Sequence, residues 1–233
     1  MYILTPDGTG ITVNMRTSTI KLPQQLPLLV IDKVLFPGAS IRISVVSYRN
    51  LSLVKNHLLS RNTLSSAIIG IVPREPGSDE EEDVSAMHRI GTAGIVVQVT
   101  GTNWPKVAYT LLVTGLCRFR LEGLVQESPY LMGSVFQLDK LPGEEIGGFK
   151  QSQKLSFIFI FLNSRLLGSL PVQSLLDVCA SIVRATQEER LDILDTVDIA
   201  ERLRKILPLL LRQIEDPSAD IQFYIVESNM LAR

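Results

Sequence analysis

From Leu26 to about Leu138, apolar residues fall into short, often β-branched runs closed by Gly, Pro, Asn or Ser, a pattern that predicts strands separated by turns. Leu26–Ile31 is the first run. In the next, Ile41, Ile43 and Val45 alternate with Arg42, Ser44 and Val46, which reads as a strand with one buried face. Pro37 and Gly38 stand between the two. Proline withholds a ladder donor and fixes its own φ, and glycine reaches backbone angles that other residues avoid, so the pair predicts a corner between two strands.

Beyond that corner, Ser47 is placed to cap a helix from Tyr48 to Leu59, with Leu51, Val54 and Leu58 at helical spacing. Strand-like runs then follow at Ala67–Val72, Ile90–Val99, Val107–Thr114, Cys117–Val125 and Leu131–Leu138. The sum is a mostly antiparallel β domain of about six or seven strands, compatible with a closed or partly closed barrel.

The alternation ends near the turn-rich segment Leu141–Gly148, where a boundary is expected. After it, Ser169-Leu-Pro171 opens a helix carrying Leu175, Leu176, Cys179, Ile182 and Val183 on one face. Thr186–Glu189 and Asp198–Glu201 both have the spacing of a capping box, so two further helices are predicted in close succession. The last, Ile199–Glu215, puts Leu203, Ile206, Leu207, Leu210 and Ile214 on one stripe. Pro208 interrupts it, and an interior proline costs about 3 kcal/mol unless the helix kinks or restarts, so a kink is expected. The organisation read from the pattern is therefore a leader over 1–21 without regular structure, a β-rich unit over 22–141, an atypical linker over 142–168, a helical unit over 169–215 and a divergent tail over 216–233.

Composition removes several classes of function. Hydrophobic residues make up 45% of the 233, charged residues 20%, and the net charge is −1, which describes a globular chain with no electrostatic reason to bind nucleic acid. The longest apolar run, Leu155–Leu162, is far shorter than the roughly 20 residues of a membrane span, so no membrane partner is expected. Cys117 and Cys179 lie far apart, and His57 and His88 are isolated in sequence. Neither a disulfide framework nor a zinc site follows, and the cysteines read as buried thiols in a reducing compartment. The acidic loop Pro73–Asp83 reads as a solvated segment. There is no GxxxxGK[ST] phosphate loop and no GxSxG elbow. No histidine is spaced with a nucleophile and an acid as a triad would require. The residues favour a binding or assembly module with no catalytic group, no cofactor and no metal of its own.

Several ordered blocks give a resemblance. Leu26-Pro-Leu-Leu-Val-Ile-Asp-Lys-Val-Leu-Phe-Pro-Gly38 resembles the opening signature of the amino-terminal domain of Lon proteases. Arg49–Val54, His88–Ala93, Val113–Phe119 and the helical stretches Glu189–Val197 and Leu209–Glu215 resemble later blocks of the family in the same order. Val97–Lys106 and Tyr109–Phe119 are most similar to the peroxisomal branch. Together the blocks cover most of residues 22 to 215.

The resemblance implies an α+β fold: a β-rich pseudo-barrel, PUA-like subdomain followed by an α-helical bundle. It implies the substrate-recognition and hexamer-supporting end of an ATP-dependent serine protease that clears and processes peroxisomal matrix proteins. ATP, Mg and the Ser-Lys dyad belong to modules further along the family's chains. The sequence ends at Arg233, before those modules, which is read as a truncated or alternatively spliced product. Its Leu-Ala-Arg end is not a Ser-Lys-Leu-type address, which leaves a cytoplasmic location open.

Expected partners are unfolded or misfolded proteins, with Trp104, Pro105 and Tyr109, around an expected hairpin, as candidate substrate contacts. The competing reading is a stand-alone Lon-domain adaptor of the kind joined to zinc-binding modules, for which two distant cysteines supply no ligand cluster.

Overall fold

The computed structural model describes residues 3–4, 10–11, 22–60, 67–77, 84–102, 106–139 and 172–215. Within the segment read as a leader, β1 (Ile3–Leu4) and β2 (Gly10–Ile11) pair antiparallel. The main sheet contains β3 (Gln25–Ile31), β4 (Ser40–Val45), β5 (Ile68–Pro73), β6 (Ile90–Thr102), β7 (Ala108–Gln126) and β8 (Leu131–Gln137). Its strand order is β4-β7-β6-β5-β3-β8, and a further β7–β8 pairing closes a ring from which β4 extends. Only β3 and β5 run parallel among these pairs; the rest are antiparallel, as the short turn-separated runs imply.

One feature of the strand reading is corrected. Val107–Thr114 and Cys117–Val125, read as two strands around a turn at Gly115, form the single strand β7 of 19 residues. Gly115 is a site of close approach, because a Cβ there would run into the backbone of Phe36. Its N–H donates to the Ala39 carbonyl at 2.8 Å, and its own carbonyl accepts from Gly38 N–H at 2.9 Å.

Ser47 caps α1 (Tyr48–Leu53), its Oγ accepting from Asn50 N–H at 3.4 Å. The predicted helix does continue, but as a π-helical turn over Val54–Leu58 that buries Leu53, Val54 and Leu58 together. The helical unit consists of α2 (Val172–Ile182), α3 (Gln187–Asp195) and α4 (Ile199–Glu215). Thr186 and Glu189 form the reciprocal capping box at α3. Asp198 Oδ1 accepts from Glu201 N–H at 2.8 Å at the start of α4. α4 passes through Pro208 without restarting. Pro208 and Arg204 are both exposed, so the carbonyl that loses its donor lies on the solvent side, where water can replace the bond.

The two parts of the chain share a core. Val34 and Phe36, from the Phe-Pro-Gly corner, are buried with Leu175, Leu176, Cys179 and Ile206 of the helices. Gly38 takes a φ of +79°, which lets the chain turn back into β4 after Phe36 has been delivered to the helices. Thr92 Oγ1 donates to the Leu35 carbonyl at 2.6 Å, pinning the same corner to the sheet. The corner that separates two strands thus also joins the β-rich unit to the helical one.

Candidate functional site

The buried face of α4 is centred on Ile206, Leu209 and Leu210, with Leu203 partly buried against it. It also carries Arg202 and Gln213, two polar residues outside the apolar stripe. Arg202 belongs to a charge cluster sealed between sheet and helices. Arg118 of β7 donates to both oxygens of Asp177 on α2, at 2.9 Å and 2.5 Å. Its Nε donates to the Leu194 carbonyl at 2.8 Å. Asp139 accepts from the Arg118 backbone N–H at 2.8 Å and from Nη1 at 3.3 Å. Arg202 donates from Nη1 to both Asp177 oxygens at 3.1 Å, and from Nε to the Thr196 carbonyl at 2.9 Å. Two guanidiniums and two carboxylates balance, and all four residues are at most 5% exposed.

Each ion of the cluster has a partner of opposite charge, although Asp139 Oδ1 accepts no hydrogen bond among the described residues, and breaking a pair would strand a buried charge; the cluster offers neither a nucleophile nor an open face to a ligand. Its role is to hold the β-rich and helical units in one relation. The signal was present in the sequence: Arg118 interrupts the apolar run of β7, and Asp177 sits among the apolar positions of α2.

A second, shallower tie lies beside it. His88 Nδ1 meets Glu75 Oε1 at 2.5 Å, and its Nε2 meets Asp195 Oδ1, at the end of α3, at 2.6 Å. A neutral imidazole has one N–H to offer two carboxylates, so the doubly protonated ring fits both. The hydrogen bond to Asp195 is the main cause that raises the His88 pKa above its ordinary value of 6.5, against burial, which lowers it. Because the folded-state pKa lies above the unfolded one, the stabilisation is fully present below about pH 6.5 and is lost as pH rises through the folded value. His88→Gln is therefore expected to lower stability by about 1 kcal/mol at pH 6, the solvent-screened worth of a pair whose carboxylates are half exposed, and by much less at pH 9. Urea midpoints of the two proteins at both pH values check this.

Cys117 and Cys179 are both free and buried, as expected, and burial pushes each thiol pKa up to about 12. Among the described residues no group of three His, Cys, Asp or Glu side chains is arranged to hold a metal ion. No helix among them is long and apolar enough to cross a membrane.

Of the candidate substrate contacts, Trp104 and Pro105 lie outside the described residues. Tyr109 is half-buried on β7, opposite Val45 of β4 and Gly101 of β6. Its ring covers Gly101, where a Cβ would come within 2.9 Å of it, so part of Tyr109 serves the sheet. Val46 and Tyr48, just beyond the Val45 rung, are 61% and 79% exposed, and Val107, two residues before Tyr109, is 39% exposed. The Val45–Tyr109 rung places these three residues near one end of the β4–β7 pair, and Val107 is close in sequence to Trp104 and Pro105. Pattern reading placed Val46 on the unburied face of its strand and Tyr48 at a helix start, but named neither as a candidate contact.

Comparison with known proteins agrees with this architecture. The ATP-dependent protease La (LON) substrate-binding domain matches residues 25–212. "Lon protease homolog 2, peroxisomal" of Danio rerio is 45% identical over 220 residues, covering 85% of this chain and 26% of that protein. The protein of the same name from Homo sapiens is 42% identical over 219 residues, again covering 85% and 26%. The chain thus spans about a quarter of the length of these curated relatives. Among solved structures, a Lon N-terminal domain protein from Xanthomonas campestris superposes with a TM-score of 0.60 at 20% identity, over 79% of this chain and 97% of the other.

Proposed function

Since the chain belongs to the ATP-dependent protease La (LON) substrate-binding domain family, we propose that it recognises unfolded or misfolded proteins for a peroxisomal-type Lon protease through the exposed apolar end of its sheet. The observation that carries this reading is the set of exposed apolar side chains Val46, Tyr48 and Val107 near the Val45–Tyr109 end of the β4–β7 pair. Clients that share only unfoldedness are best met by adaptable apolar contact, because hydrogen bonds of fixed geometry would select one sequence over another. Trp104 and Pro105 extend the same contact. In this reading the buried ion cluster keeps the surface at a set orientation to the helices, and so to whatever follows them.

ATP hydrolysis with Mg, peptide cleavage and assembly into a hexamer fall to the longer protein, which would act on matrix proteins in the peroxisome. The test uses reduced, carboxymethylated lactalbumin, a permanently unfolded protein, labelled and titrated with this chain by fluorescence anisotropy. A Val46→Ser/Tyr48→Ser variant is expected to bind about tenfold more weakly, the loss of two exposed apolar contacts of roughly 0.7 kcal/mol each, with an unchanged melting temperature. Unchanged affinity would remove this surface from the reading.

A further inference from the structure

β7 has strands on both sides along most of its length, but not at its far end. Its pairing with β6 ends at Arg120 opposite Ile90, followed by one bond from Leu121 N–H to the Arg89 carbonyl at 2.8 Å. Its pairing with β8 continues to Gln126 opposite Met132, with register shifts between Leu121 and Gly123 and between Leu124 and Gln126. Residues 122–126 therefore have a strand neighbour on one side only among the described residues. An unpaired edge of this kind presents backbone donors and acceptors to any extended chain that fits beside it.

Beside this edge lies an open groove of about 520 Å³. Val84, Met87 and Arg89 line it on one side, and the 120–124 stretch of β7, with Glu122 and Gly123 included, lines it on the other. The four apolar residues are only partly buried against the core beneath. A Cβ built on Gly123 would meet nothing within 4 Å, so the strand is approachable there. The rim is basic. Arg89 is exposed, and no carboxylate among the described residues is within ion-pair distance of it. Arg120 is held 5.2 Å above the Phe136 ring and 3.3 Å from Glu122, both contacts at the surface.

We propose that the 122–126 edge of β7 binds an extended peptide segment by strand addition, with apolar side chains in the groove and an acidic side chain at Arg89. Strand addition draws its affinity from backbone hydrogen bonds, which every unfolded polypeptide can supply, and its preference from the pockets alongside. The inference rests on the reading of the chain as a substrate-binding region and names one class of segment within it: extended, apolar and acidic. This edge is separated by most of β7 from the Tyr109 end, so one long unfolded chain can engage both, each contact raising the effective concentration of the other.

The experiment uses a labelled decapeptide of alternating valine and glutamate, the same peptide methylated on alternate backbone nitrogens, and a valine–lysine version, titrated against the whole chain. The valine–glutamate peptide is expected to bind and to slow amide exchange within residues 122–126. N-methylation, which leaves the protein untouched, is expected to weaken binding about tenfold by removing peptide donors. Arg89→Glu, at an exposed position, is expected to weaken the valine–glutamate peptide about fivefold and to strengthen the valine–lysine one. Binding indifferent to N-methylation, or exchange protection confined to the Tyr109 end, would overturn the inference while leaving the unfolded-protein reading standing. Failure of both the peptide and carboxymethylated lactalbumin to bind would remove both.

Discussion

Asp177→Ala is expected to lower the free energy of unfolding by about 3–5 kcal/mol, the cost of leaving a buried charge without its partner. Asp177 is the shared acceptor of Arg118 and Arg202, and its removal leaves two buried guanidiniums facing Asp139 alone. Water cannot reach them, since both arginines are fully buried. A loss of that size is a large fraction of the 5–15 kcal/mol that a domain typically has. Urea unfolding followed by far-UV circular dichroism checks it. A midpoint shift worth less than about 1 kcal/mol would mean that the cluster is solvated, as a surface ion pair is. Asp177→Asn, which keeps the shape and some hydrogen bonds, should fall between the wild type and the alanine variant.

Phe36→Ala is the second large expected effect, about 3–5 kcal/mol from lost burial and the cavity left behind. Phe36 is 0% exposed and packs with the helical core although its neighbours in sequence belong to the sheet. The corner therefore acts at a distance: the variant should loosen α2, α3 and α4 while its mutated residue sits between β3 and β4. Native-state hydrogen exchange separates the possibilities. Faster exchange in the helices together with the Leu35–Ala39 corner is the expected pattern. Faster exchange in β3 and β4 alone would place Phe36 in the sheet core instead.

Local physics explains what could be read from the sequence. The strands of the sheet, the Ser47 cap and the Thr186–Glu189 capping box were legible because period-2 alternation and cap chemistry act within a few residues. Gly115 misled, because a glycine that marks a turn and one that lets two backbones touch look identical without the partner, here Phe36. The stripe of α4 was right at Ile206 and Leu210 but missed Arg202 and Gln213, whose partners, Asp177 and the Arg184 backbone, come from α2 and from the segment before α3. His88, isolated in sequence, is flanked by carboxylates 13 and 107 residues away. The candidate surface was half legible: Tyr109 was chosen for its residue type and Val46 was placed on the unburied face, whereas the closeness of Val46 and Tyr48 to Tyr109 follows from the Val45–Tyr109 rung, a pairing between distant segments.

The central claim is recognition of unfoldedness, and one comparison tests it most directly. Lactalbumin in its native, disulfide-bonded form and in its reduced, carboxymethylated form presents one sequence in two states. Titrated with this chain under the same buffer conditions, the unfolded form is expected to bind with at least about tenfold higher affinity than the native one, since only it offers extended apolar segments. Equal affinity for the two forms, or binding to neither, would contradict the account.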